Sequence, residues 1–177
     1  MKAKITYKNT TVLKHLLLFF ISIALLSCDS DDSSIDPSQL LSNFQEPNLN
    51  FRISPEELKM QEGEPDLDNG FFFTYLNPQN AVTEYRYVIL TDFLTQEPFY
   101  AHVNVDIYAN QQNLDYIVNW LTDKYGTPEF SQFGDGSQGY EWFLNTEADD
   151  DLFNISIVYS GDGIGTEETF LVDFSLF

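Results

Sequence analysis

The sequence predicts a two-layer α+β fold in which an antiparallel sheet of about six strands, in the order β-β-β-α-β-β-β, packs against one main amphipathic helix. Three stretches alternate apolar and polar residues, as half-buried strands do. Another segment repeats apolar residues at helical spacing and lies between the two groups of strands. With 16 Phe, 10 Tyr and 2 Trp among 177 residues, the chain has enough apolar surface for a core.

The strands are predicted from alternation at period two. The clearest one covers residues 99–108, where Phe99, Val103 and Ile107 share one side with Ala101 and Val105. The other predicted strands cover residues 71–76, 83–91, 140–145, 153–159 and 170–176. Short turns between them predict hairpins, and hence antiparallel pairing.

Two segments carry helix signals. The main helix is predicted from Leu114, Ile117, Val118, Leu121 and Tyr125, which recur at a spacing of three or four before a stop signal at Gly126. Upstream, Ser54-Pro55-Glu56-Glu57 forms a capping box, which predicts a short helix from Pro55 to about Gln61.

The first 27 residues have the pattern of a secretory signal peptide. Four lysines and no acids precede or flank an apolar run from Leu16 to Leu26, which is shorter than the ~20 residues that a membrane-spanning helix needs. The segment ends in Leu25-Leu26-Ser27-Cys28, which resembles the lipobox of bacterial lipoproteins. That resemblance implies cleavage before Cys28 and acylation of Cys28, so that the chain is attached to a membrane by lipid.

The residues that follow Cys28 refine this predicted address. Asp29-Ser30-Asp31-Asp32-Ser33-Ser34 resembles the surface-export signal of lipoproteins from the Bacteroidota. The resemblance implies an outer-membrane lipoprotein at the cell surface, with the periplasmic face as the alternative. Residues 28–49 are polar and are predicted to be an acidic flexible tether, while residues 50–177 are predicted to form a single globular domain.

Charge excludes one class of partner. After removal of residues 1–27, four bases stand against 28 acids, so the net side-chain charge is 4 − 28 = −24. Such a chain cannot neutralise phosphates, and we expect no nucleic-acid binding.

One group of residues suggests recognition of a ligand. Tyr100, His102, Asn104, Asp106 and Tyr108 are predicted to project to one side of the strand at 99–108. Two aromatic rings with polar groups between them could stack on and hydrogen-bond to a glycan. The alternative is an ordinary exposed sheet face, or a face covered by residues 50–69.

Acidic loops suggest a second group. Asp135, Asp162, Glu167 and Glu168 are predicted to lie at one end of the sheet, where their oxygens could bind calcium as a cofactor. Glu147, Asp149, Asp150 and Asp151 form another candidate in the opposite loop. The alternative for both groups is a solvated acidic loop.

These observations favour a noncatalytic, lipid-anchored binding or accessory protein of the cell envelope, with a glycan or an outer-membrane protein as its partner. An alternative is an acidic inhibitor or immunity-type protein that binds a basic partner. A small hydrolase that uses carboxylates is the third hypothesis, although nothing in the sequence singles out a catalytic pair.

Overall fold

A computed structural model describes residues 36–133, 136–145, 152–160, 163–164 and 167–176. In chain order, the elements after a short 3-10 turn at Pro37–Gln39 are α1 (Pro55–Glu62), β1 (Leu67–Asp68), β2 (Phe72–Gln79), β3 (Val82–Thr91), β4 (Pro98–Tyr108), α2 (Gln111–Tyr125), β5 (Glu129–Gln132), β6 (Gln138–Asn145), β7 (Leu152–Tyr159) and β8 (Thr169–Leu176). Among these described residues, no helix is long and apolar enough to cross a membrane.

The eight strands form one antiparallel sheet in the order β1-β2-β3-β4-β8-β7-β6-β5. Each half of the chain therefore consists of a helix followed by a four-stranded meander, and β4 and β8 join the halves at the centre of the sheet. The register there pairs Val103 with Phe174 and Val105 with Val172. The repeat of element order has no counterpart in an obvious sequence repeat.

The predicted layout of about six strands around one main helix, in the order β-β-β-α-β-β-β, is wrong. The sheet has eight strands and the domain has two α-helices. Strands occur at all six predicted places, but β1 has 2 residues and β5 has 4, so both edge strands are too short to show alternation.

Both helices begin at caps that the sequence specifies. Ser54 caps α1, with its hydroxyl accepting from the Glu57 backbone N–H at 3.2 Å while the Glu57 carboxylate accepts from the Ser54 N–H at 3.0 Å. Asn110 caps α2 by accepting from the Asn113 N–H at 2.8 Å. Caps of this kind satisfy N–H groups that the first helical turn leaves unpaired.

A single core lies between one face of the sheet and the helices. Leu58 of α1 and Leu114, Ile117 and Leu121 of α2 are buried in the same cluster as the inward-facing strand residues. The largest fully buried side chain is Trp142 of β6, whose indole N–H donates to the Gly126 carbonyl at 2.7 Å. The helices and the core thus occupy one side of the sheet.

Residues 36–49, which the sequence assigns to the flexible tether, pack against the domain. Leu41 and Phe44 are buried in the core, and the Leu41 N–H donates to the Asn113 side-chain oxygen at 2.7 Å. The Phe44 ring meets Trp120 edge to face at 5.1 Å. Burial of these two large apolar side chains holds an otherwise polar segment against the domain. The compact unit therefore begins at Asp36 rather than at residue 50.

Candidate functional site

The sheet face opposite the core is polar at its centre. By strand register, one row of side chains runs across five strands. Its members are Arg86, Asn104, Asp173, Ser156 and Glu141. The neighbouring rows add Glu84, Asp106, His102, Ser175 and Asn154. These ten residues, here called the polar face, alternate along their strands with core residues, and the two described helices pack on the other side.

The sequence predicted that five alternate residues of β4 share this face, and this is wrong for Tyr100. The register pairs Val88 with His102 but Ile89 with Tyr100, which leaves Ala101 as an extra residue in β4. A β-bulge of this kind reverses the side to which the preceding residues point. Tyr100 therefore lies in the core, and its hydroxyl donates to the Asn48 carbonyl at 2.6 Å.

The other predicted residues of β4 keep their places. His102, Asn104 and Asp106 are half-buried members of the polar face. Tyr108, at the end of the strand, is also half-buried and packs against the edge of the core. With the Tyr100 ring 4.9 Å from Phe51 inside the core, the pair of aromatic rings proposed to stack on a glycan does not form on this surface.

His102 is paired with an acid from the neighbouring strand. Its Nδ1 lies 3.2 Å from Oδ1 of Asp173 on β8, and the side chains are 31% and 24% exposed respectively. The sequence could show that Asp173 alternates with Phe174 and Val172, but not that β8 lies next to β4. This pair is therefore a feature that sequence reasoning missed.

Glu84 and Asp106 face each other across β3 and β4. Burial, together with a hydrogen bond to Glu84 and repulsion from its charge, raises the pKa of Asp106 to about 6. Arg86 contacts the Glu84 carboxylate, and Thr169 forms a hydrogen bond with Asp106. Asp106 therefore keeps its proton at pH values at which an ordinary aspartate is ionised.

Among the residues that the structure describes, two buried polar atoms on this face have no hydrogen-bond partner. They are the side-chain oxygens of Asn154 and Ser175, both in residues that are 8% exposed. Ser175 pairs directly with His102 on one side and with Asn154 on the other. Buried polar atoms without a partner are uncommon in folded proteins and call for an explanation.

Apolar side chains border the polar face at both edges. Phe72 on β2 is 38% exposed, Leu76 on β2 is 48% exposed, and Phe143 on β6 is 63% exposed. By register, Phe72 and Phe143 lie at the two ends of the row that contains His102 and Ser175. The surface thus combines a charged centre with large apolar groups at its margins.

Only two of the four predicted calcium ligands, Glu167 and Glu168, lie among the described residues. Asp135 and Asp162 lie outside the described residues, as do Cys28 and the second acidic group at residues 147–151, while Glu167 and Glu168 are exposed. Within the described ranges, no three acidic, His or Cys side chains are grouped so that they could hold a metal ion. Calcium binding stays a prediction.

A surface cavity of about 550 Å³ lies away from the polar face, near the start of α1 and the turn between β3 and β4. Arg52, Ser54, Glu56, Glu57, Asp92, Thr95, Glu97, Pro98 and Phe99 line it. The polar face contributes none of these lining residues.

Comparison of the chain with protein-family models, with curated proteins and with solved structures finds no match. The functional assignment therefore depends on the chemistry of the chain's own residues.

Proposed function

We propose that the chain is a noncatalytic, lipid-anchored binding protein of the cell envelope that docks a protein partner on the polar face. The observation that carries the proposal is the composition of that face. A charged and polar centre bordered by Phe72, Leu76 and Phe143 offers both apolar area and polar pairing, the combination found in protein interfaces.

A protein partner fits this surface better than a glycan does. Glycan binding was predicted from the rings of Tyr100 and Tyr108 on one side of β4, and the burial of Tyr100 removes one of them. Five carboxylates on this side of the sheet instead favour the acidic inhibitor or immunity-type alternative, in which the partner is basic. They belong to Glu84, Asp106, Asp173, Glu141 and Glu129.

The proposed lipid on Cys28 would hold this surface near the membrane. Because the domain begins at Asp36, seven residues (29–35) lie between it and the proposed lipid, and the eight steps from Cys28 to Asp36 span at most about 3 nm when fully extended. A partner that reaches the polar face would then be either another component of the envelope or a protein that approaches the envelope.

Photo-cross-linking in living cells tests the proposal. A photoreactive residue at Asn104 or Ser156 reports on the polar face, and one at the exposed Gln112 of α2 is the matched control on the opposite layer. We expect cross-links to a protein from Asn104 and Ser156 and none from Gln112. Cross-links from Gln112 alone would place the binding surface elsewhere and refute the proposal.

A further inference from the structure

Three carboxylates lie close together on the polar face. Glu84 and Asp106 are cross-strand neighbours, and Asp173 lies diagonally across from Asp106, opposite Asn104. Arg86 contacts Glu84, and His102 contacts Asp173. Asp106 is held differently, by hydrogen bonds to Glu84 and Thr169.

The cross-strand placement of Glu84 and Asp106 favours a further positive charge at this pair. Burial and the facing Glu84 carboxylate raise the pKa of Asp106 to about 6, so Asp106 is ionised near neutral pH. Two adjacent carboxylates then face each other, with Arg86 in contact with Glu84. A second cationic group placed there would relieve their repulsion.

An independent observation points to a ligand with N–H groups. The buried oxygens of Asn154 and Ser175 lie on the strands beside Asp173 and His102 and have no partner in the described structure. The Asn154 oxygen can accept but not donate a hydrogen bond. A partner that brings N–H donors to this surface could satisfy these oxygens once their side chains turn outward.

We propose that the polar face binds a basic protein through an Arg or Lys side chain that docks on the carboxylates of Glu84, Asp106 and Asp173. The inference rests on the proposed function and names the chemistry of its partner. Arginine suits the position best, because its planar guanidinium can donate to two carboxylates at once.

A blocked hexa-arginine peptide is the probe, and its affinity for the purified full chain is measured by titration calorimetry at 150 mM salt. Because any polycation is attracted to so acidic a chain, the comparison is between two double variants that each remove two negative charges. E84Q/D106N removes them from the polar face, and E64Q/E97Q removes them from exposed loops. We expect about a fivefold or greater loss of affinity for the first variant and less than about twofold for the second.

Acidity provides the second measurement. The groups facing Asp106 are Glu84 and Arg86 from β3 and Asp173 from β8, with His102 on its own strand. Lowering the pH from 7.5 to 5.0 should weaken peptide binding several-fold in the wild-type chain, because protonation of Asp106 removes one of the two adjacent charges. The pH effect should largely disappear in E84Q/D106N, which retains His102.

Equal losses in the two double variants would mean that only net charge matters, and would overturn the inference. A pH effect that persists in full in E84Q/D106N would assign it to groups other than this pair and would likewise overturn the inference. If E84Q/D106N does not fold, as judged by circular dichroism, Asp173→Asn takes its place. Cross-linking of a partner from Asn104 in cells, combined with unchanged peptide binding, would reject the cationic contact while leaving the proposed function in place.

Discussion

Replacing Asp106 with Asn is expected to stabilise the folded chain at pH 7.5 and to have little effect at pH 4. Asp106 is half-buried and faces Glu84, and its pKa in the folded chain is raised from 3.8 to about 6. The folded chain therefore holds the proton more tightly than the unfolded chain does. Ionisation of Asp106 then lowers the free energy of unfolding as the pH rises from about 4 to about 6.5, above which the loss is complete.

The size of the effect follows from the pKa difference. Two pKa units correspond to about 3 kcal/mol, and partial exposure of the pair to solvent reduces this to about 1–1.5 kcal/mol. Asn cannot ionise and keeps an N–H donor for Glu84, so it avoids this loss. For a domain of this size, the gain should raise the melting temperature by about 3–5 °C at pH 7.5.

Urea unfolding at a series of pH values, followed by the fluorescence of the buried Trp142, measures the difference between the variant and the wild-type chain. The exposed Glu97→Gln removes one negative charge elsewhere and controls for general relief of repulsion. We expect the difference in free energy of unfolding from the wild-type chain to grow between pH 4 and 6.5 for Asp106→Asn and to stay nearly constant for Glu97→Gln. A pH-independent difference for Asp106→Asn would refute this expectation.

Two further predictions concern the N-terminal part of the chain. Leu41→Ala should lower the free energy of unfolding by about 2–4 kcal/mol, because Leu41 is only 7% exposed and lies in the core. The control Leu94→Ala, at a position that is 86% exposed, should change it by less than about 0.5 kcal/mol. Equal effects of the two substitutions in urea unfolding would show that residues 36–49 do not contribute to the core. Cys28→Ala should abolish incorporation of a labelled fatty acid, and labelling that persists in the variant would contradict lipidation at Cys28. Protease treatment of intact cells should remove the wild-type domain, and full protection of the domain would contradict surface exposure.

Regular alternation located three of the six longer strands, whereas the segments at 71–76, 83–91 and 140–145 showed a less regular pattern; the second half of β2, for example, is mostly exposed. It could not reveal β1 and β5, whose few residues complete no pattern. It also could not reveal the bulge at Ala101, since Phe99, Ala101 and Val103 alternate regularly on paper. Only pairing with β3 shows that the register shifts there, and the shift decides whether Tyr100 faces solvent or the core.

The centre of the candidate site depends on strand order, which local sequence does not encode. His102, Asn104 and Asp106 were predicted to share a face because they belong to one strand. The partner of His102 comes from a strand distant in sequence, since Asp173 lies about 70 residues away. The second meander starts at the far edge of the sheet with β5 and moves inward, so its last strand, β8, lies beside β4. This strand order brings Asp173 and Ser175 onto the polar face.

Stability and binding make opposite demands at Glu84 and Asp106. A cross-strand pair of like charges is destabilising, and a basic residue at either position would remove the repulsion. Under the proposed function, a cationic side chain of the partner would relieve the same repulsion, and binding would recover the free energy lost in the isolated domain. Local departures from the rules that favour folding tend to occur at functional sites, because binding needs groups that the fold alone does not satisfy. The carboxylate pair and the unpartnered oxygens of Asn154 and Ser175 lie on one sheet face, and this coincidence favours that face as the binding surface.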